Sequence, residues 1–87
     1  MSEMENIKEQ ELAQVSGGEY RVVNTGDSRN AAIRSDPGLS TPIIGSLPNG
    51  TYCNATGNFR YVDGRNWAEI NYPMWGWIKG SILGYEY

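Results

Sequence analysis

The chain has 87 residues, of which 39% are hydrophobic and 20% are charged. This length allows one small domain, and the composition excludes a disordered acidic chain. No stretch approaches the roughly 18 apolar residues of a membrane helix, so no membrane span is expected. The formal net charge of −3 falls entirely within residues 1–18, and every aromatic residue lies after Gly18. This break predicts two segments, residues 1–18 and residues 19–87.

The first segment has the pattern of a short amphipathic helix. Met4, Ile7 and Val15 fall near one stripe, and the Gly17-Gly18 pair would end the helix. Because it has few apolar residues, such a helix is marginal alone in water and would order on a partner. The alternative from the residues is an acidic, solvated arm with a flexible glycine hinge. A general secretory signal is not expected, since a basic start and an apolar core are missing.

Residues 7–18 resemble the double-glycine leader peptides of bacteriocin precursors. The family pattern LSxxELxxIxGG recurs here with Lys8 at the usual Ser and Val15 at the usual Ile. The residues that this resemblance assigns to leader recognition and cleavage are Ile7, Glu11, Leu12, Val15, Gly17 and Gly18. It implies that a peptidase-containing ABC transporter cuts after Gly18 and exports the remainder. The protein would then be a secreted bacterial product, made as a cytoplasmic precursor.

The second segment carries short runs of β-forming residues between turn signals, which is typical of an all-β domain. The predicted strands are Tyr20–Asn24, Ala31–Arg34, Pro42–Leu47, Thr51–Thr56, Phe59–Val62, Asn66–Tyr72 and Trp75–Lys79. Pro48-Asn49-Gly50 and Asp63-Gly64 are predicted turns, and Gly57-Asn58 is predicted to break a strand. A segment of this length has no room for two full sheets. We therefore expect a five- to seven-stranded, partly open barrel.

The apolar positions of these strands predict a small core. Its expected members are Ile33, Ile44, Leu47, Ile70, Ile78 and Leu83, with either Val22 or Val23. Gly45 and Gly76 are predicted to allow sharp bends or a close approach of strands.

Five blocks of residues 20–83 resemble, in order and spacing, the signature of bacterial SH3-like domains. These blocks are residues 32–40, 43–51, 67–70, 76–78 and 82–83. The resemblance implies a small SH3-like barrel over residues 19–87. It also implies a binding module, because such domains often bind cell-wall peptides or carbohydrate, or tether partner proteins. Asp36 and Ile82 depart from the family pattern, as does the long stretch from 54 to 65.

The residue inventory argues against an enzyme. The chain has no His, which is the commonest general base and metal ligand, and its carboxylates lack metal-loop spacing. No metal or other cofactor is therefore expected. The single thiol, Cys53, is interpreted as a small buried apolar residue, with pairing between exported chains as the alternative. Basic and acidic residues balance in residues 19–87 and no Lys/Arg cluster is visible, so nucleic-acid binding is not expected.

The aromatic residues are the strongest indication of a site. All ten lie in residues 19–87, more than a small barrel can bury, and exposed rings mark binding surfaces. We predict one groove with aromatic walls and a polar contact from Arg34 or Glu69. The predicted wall residues are Tyr61, Tyr72, Trp75 and Trp77. Two alternatives stay open: Trp67 and Trp77 close the barrel ends, or the exposed rings form a dimer interface.

These features together predict an exported small binding module that recognises cell-wall peptide or glycan, or a partner protein. A second hypothesis is a secreted bacteriocin-like effector or signalling protein. A third is an intracellular scaffold whose arm is not cut.

Overall fold

The computed structural model describes residues 18–85. Within this range the chain is all-β, and its six strands form one antiparallel sheet in the order β1-β4-β5-β6-β2-β3. The elements are β1 (Glu19–Val22), β2 (Ala31–Arg34), β3 (Ile43–Leu47), β4 (Tyr52–Val62), β5 (Arg65–Tyr72), β6 (Gly76–Lys79) and a 3₁₀ turn (Gly80–Leu83). No helix in this part of the chain is long and apolar enough to span a bilayer. The leader positions Ile7, Glu11, Leu12, Val15 and Gly17 lie outside the described residues.

The strand prediction is wrong at Gly57-Asn58, which lies inside one long strand. Ala55 pairs with Ile70 and Phe59 pairs with Ala68, so residues 56–58 of β4 face a single residue of β5. An antiparallel ladder can absorb such extra residues as a bulge and resume its pairing beyond them. Gly57 has a φ of 99°, which a glycine adopts at little cost. The predicted Asp63-Gly64 turn is confirmed, with φ values of 56° and 75°.

One side of the sheet builds the hydrophobic core. Its buried cluster consists of Val23, Ala31, Ile33, Leu47, Cys53, Ala68, Ile70, Ile78 and Leu83. Neighbouring strands lie about 4.8 Å apart, so a flat six-stranded sheet could not bring both of its ends into one cluster. The sheet is therefore curled. Hydrogen bonds of 2.9 Å join Val23 N to Thr51 O and Gly50 N to Val23 O, and so tie the end of β1 to the β3–β4 turn.

Most of the predicted core is confirmed, and Val23 is buried whereas Val22 is 42% exposed. The prediction for Ile44 is wrong, because this side chain is 44% exposed. Leu47 pairs with Ala31 and Gly45 pairs with Ile33, so these alternate positions of β3 face the core. Ile44 directly precedes Gly45 and is an extra residue of β3, because the next pair of the ladder joins Arg34 to Ile43. Its side chain therefore points to the other side of the strand.

Gly76 provides the predicted close approach of strands. A Cβ atom at this position would overlap Cγ2 of Ile33 and would lie 3.1 Å from the carbonyl oxygen of Arg34. The absence of a side chain therefore lets β6 pack tightly against β2.

Candidate functional site

The side of the sheet away from the core, called here the outer face, brings together four of the six predicted site residues. Arg34 pairs with Trp77 across β2 and β6, and Trp77 pairs with Glu69 across β6 and β5. Residues directly opposite one another project on the same side of a sheet. Trp75 joins them, since its indole Nε1 donates a 2.7 Å hydrogen bond to Oε2 of Glu69.

Tyr61 and Tyr72 lie elsewhere, so the single four-ring groove is not formed. Tyr61 is opposite Asn66, and Tyr72 lies two residues beyond the core residue Ile70, which places both tyrosines on the core side. They are also at opposite ends of β5, separated by about 20 Å at about 3.3 Å per residue. Tyr61 is 68% exposed. Side chains alternate between the two sides of the sheet along each strand, so the predicted rings do not all lie on one side.

Trp67 and Trp77 are structural residues of the outer face. They are only 1% and 8% exposed, although neither belongs to the main core cluster. The indole Nε1 of Trp67 donates to the carbonyl oxygen of Val62 at 2.9 Å, which satisfies its polar atom. Trp77 is thus a buried residue and not an exposed wall of a groove.

The β4 bulge holds Glu69 in place. Thr56 Oγ1 and Asn58 Nδ2 donate to Oε1 of Glu69 at 2.9 and 2.7 Å, and Trp75 donates to the other oxygen. The hydrogen bond from Trp75, followed by that from Asn58, lowers the pKa of Glu69 below its ordinary value. The carboxylate therefore orients the Trp75 ring, which stays 48% exposed. Thr56 and Asn58 were missed in the sequence, where Gly57-Asn58 suggested only a strand break.

Residues 19–87 contain six basic residues, and four of them lie on the outer face. Arg60 is opposite Trp67, and Trp67 is opposite Lys79. Arg65 lies two residues before Trp67 on β5. Arg34 is opposite Trp77, which lies two residues before Lys79 on β6. Alternation along each strand therefore puts all four side chains on one side.

The two other basic residues are paired with carboxylates. Arg21 contacts Glu19 at 2.8 Å, and Arg29 contacts Asp27 at 3.0 Å. Within residues 18–85, no carboxylate lies within ion-pair distance of the four outer-face cations. The expectation that the chain holds no Lys/Arg cluster is thus wrong for the folded protein, because the strands assemble residues that are far apart in sequence.

A groove of about 350 Å³ opens beside Arg34 and Lys79. Trp67 also lines it, with the guanidinium carbon of Arg34 lying 6.0 Å from the Trp67 ring centroid. The other residues that line the groove come from the 25–32 segment and from Ser81 and Ile82. We call this cavity the basic groove.

The loop beside the basic groove is held by its own hydrogen bonds. Asn49 accepts from the Thr25 backbone N–H at 2.8 Å and donates to the Asp27 carbonyl oxygen at 2.5 Å. Asp27 accepts from the backbone and side chain of Arg29, which lowers the pKa of Asp27. A loop fixed in this way favours a groove that is formed before a ligand arrives.

Cys53 is a buried core residue, as interpreted from the sequence. Its side chain is 0% exposed, and burial raises the pKa of the thiol to about 11. A thiol in this environment is protonated at neutral pH and shielded from other chains. In the part of the chain that the structure describes, no group of three or more Cys, Asp or Glu residues could hold a metal ion.

Comparisons with protein-family models, curated proteins and solved structures give no match for this chain. The described residues form a small curled antiparallel sheet whose outer face combines cations, buried indoles and the basic groove.

Proposed function

We propose that this chain is a secreted, SH3-like binding module that recognises cell-wall peptide or glycan on its outer face after removal of residues 1–18. The observation that carries the proposal is the basic groove of about 350 Å³, on a face that also presents the exposed, hydrogen-bonded ring of Trp75. Concave sites with a few fixed polar groups are typical of ligand binding, and exposed rings stack on sugar faces and peptide planes.

The position of β1 supports a cut between Gly18 and Glu19. Strand β1 begins at Glu19, which pairs with Ala55 on β4. Such a cut would remove the acidic segment and would leave every strand of the sheet intact. The released domain would then carry balanced charge overall, with its cations concentrated on one face.

Binding can be tested by retention of the full-length chain on purified peptidoglycan. We expect Trp75→Ala to lower retention about tenfold, because exposed aromatic anchors often dominate binding energy. Tyr61→Ala is the matched control, since it removes an exposed ring from the core side and should leave retention unchanged. No retention of the parent chain, or equal retention of all three proteins, would contradict the proposal.

Export can be tested by co-expression with a peptidase-containing ABC transporter and mass analysis of the medium. We expect an extracellular product that begins at Glu19, and we expect Gly17→Val to abolish it because the side chain obstructs a narrow protease cleft. Ser16→Ala serves as the neighbouring control. Recovery of only full-length protein inside the cells would refute cleavage.

A further inference from the structure

Two cations of the basic groove stand on neighbouring strands, at positions from which both side chains can reach one anion. Arg34 is opposite Trp77 on β6, and Lys79 lies two residues beyond Trp77 on the same strand. Diagonal neighbours of this kind in a sheet are separated by about 7–8 Å. Because both side chains are long and line the same cavity, their charged groups can converge on a single group between them.

The remaining charges of the groove do not neutralise these two residues. Asp27 also lines the cavity, but Arg29 occupies its carboxylate with hydrogen bonds of 3.0 and 3.1 Å. Arg34 is held by a hydrogen bond of 2.6 Å from its Nη1 to the carbonyl oxygen of Thr41. A guanidinium has five N–H donors, so donors remain for a ligand while the side chain is already oriented.

Size and polarity indicate which anion fits. A volume of about 350 Å³ is at the lower end of the range for ligand sites, which suits one or two residues of a peptide. Ala32 and Ile82 are partly buried and line the same cavity, so they provide a small apolar surface beside the cations. The arginine fork matches the geometry of a carboxylate or a phosphate, and the adjacent apolar surface favours a carboxylate that carries a small apolar side chain.

We infer that Arg34 and Lys79 bind the terminal carboxylate of a peptide whose last residue has a small apolar side chain, which packs against Ala32 and Ile82. This inference rests on the proposed function and specifies the part of a wall peptide that is recognised. The remaining outer-face cations, Arg60 and Arg65, do not line the groove and are not part of this subsite.

The inference can be tested by calorimetric titration of the full-length chain with D-alanyl-D-alanine and with its C-terminal amide. We expect the amide to bind at least about tenfold more weakly, because it removes the charge that the two cations recognise. Lys79→Gln and Arg34→Gln should each weaken binding of the free carboxylate by about tenfold. Arg60→Gln is the matched control, because it removes the same charge from the same face outside the groove.

The outcomes separate this inference from the proposed function. If the chain is retained on peptidoglycan but binds the dipeptide and its amide with equal affinity, the carboxylate subsite is overturned and the proposed binding module is kept. Equal weakening by Lys79→Gln and Arg60→Gln would also overturn it and would assign binding to the general positive charge of the face. Competition by a glycerol phosphate polymer that depends on Arg60 would point to a polyanion instead. Thermal unfolding of each variant distinguishes lost binding from lost folding.

Discussion

The two sides of the sheet bury side chains in different ways. The core side collects aliphatic residues from all parts of the sheet into one cluster. The outer face buries two indoles, Trp67 and Trp77, among cations and hydrogen-bonded polar groups. The first side is held mainly by apolar contact, whereas the second combines packing with specific hydrogen bonds such as that from Trp67 to Val62.

This difference indicates where function can reside in so small a domain. Aliphatic packing has little tolerance for change, because a close-packed core responds to the loss of single methylene groups. The outer face places charged groups beside a fixed aromatic support, and its cations are long side chains that reach solvent. Aromatic content alone therefore does not locate a site, since the rings of Trp67 and Trp77 are part of the fold.

The largest expected effect is on the core side. Ile33→Ala removes a side chain that is 0% exposed and should lower the free energy of unfolding by about 3 kcal/mol. Ile43→Ala, at a side chain that is 59% exposed on β3, should lower it by less than about 0.5 kcal/mol. Urea unfolding of both variants measures the contrast. Similar losses would show that the β3 edge belongs to the core.

A smaller loss is expected from a buried indole of the outer face. Trp67→Phe removes ring volume and leaves the Val62 carbonyl oxygen without its indole donor, so we expect a loss of about 2 kcal/mol. Trp75→Phe removes a comparable hydrogen bond from a ring that is 48% exposed and should cost at most about 1 kcal/mol. Urea unfolding of both variants measures the two losses in the free energy of unfolding. The reverse order would contradict the division between a buried and an exposed indole.

The smallest expected effect depends on pH. The lowered pKa of Glu69 means that its carboxylate stabilises the fold fully above its ordinary value of 4.5. This stabilisation is lost as the pH falls through the lower folded-state pKa. Glu69→Gln should thus cost about 0.5 kcal/mol at pH 7, since the group is partly exposed, and nothing at the acid end.

Unfolding of Glu69→Gln and its parent across pH 2–7 measures this convergence. Asp36→Asn is the control, because the exposed Asp36 carboxylate accepts no hydrogen bond from the described residues. A gap between Glu69→Gln and the parent that stays constant with pH would show that the carboxylate charge is not what holds Trp75.

The sequence was sufficient to predict the local structure of most of the sheet. Period-two alternation, β-forming residues and turn glycines predicted the all-β class, the Asp63-Gly64 hairpin and core residues such as Ile33 and Ile70. These features depend on neighbours within a few positions, which a sequence displays directly. Ile44 was misplaced because the register of β3 against β2, and not its apolar character, decides which side it faces.

The sequence by itself determined the division of charge and aromatic residues at Gly18, the β-rich character of residues 19–87 and the apolar role of Cys53. Only the tertiary structure decided that Tyr61 and Trp77 lie on opposite sides of the sheet, and that two residues of the β4 bulge donate hydrogen bonds to Glu69. It also decided that a segment of balanced charge presents a positive face. The reason is that pairing between strands distant in sequence sets which side chains meet, and that register is a property of the assembled sheet.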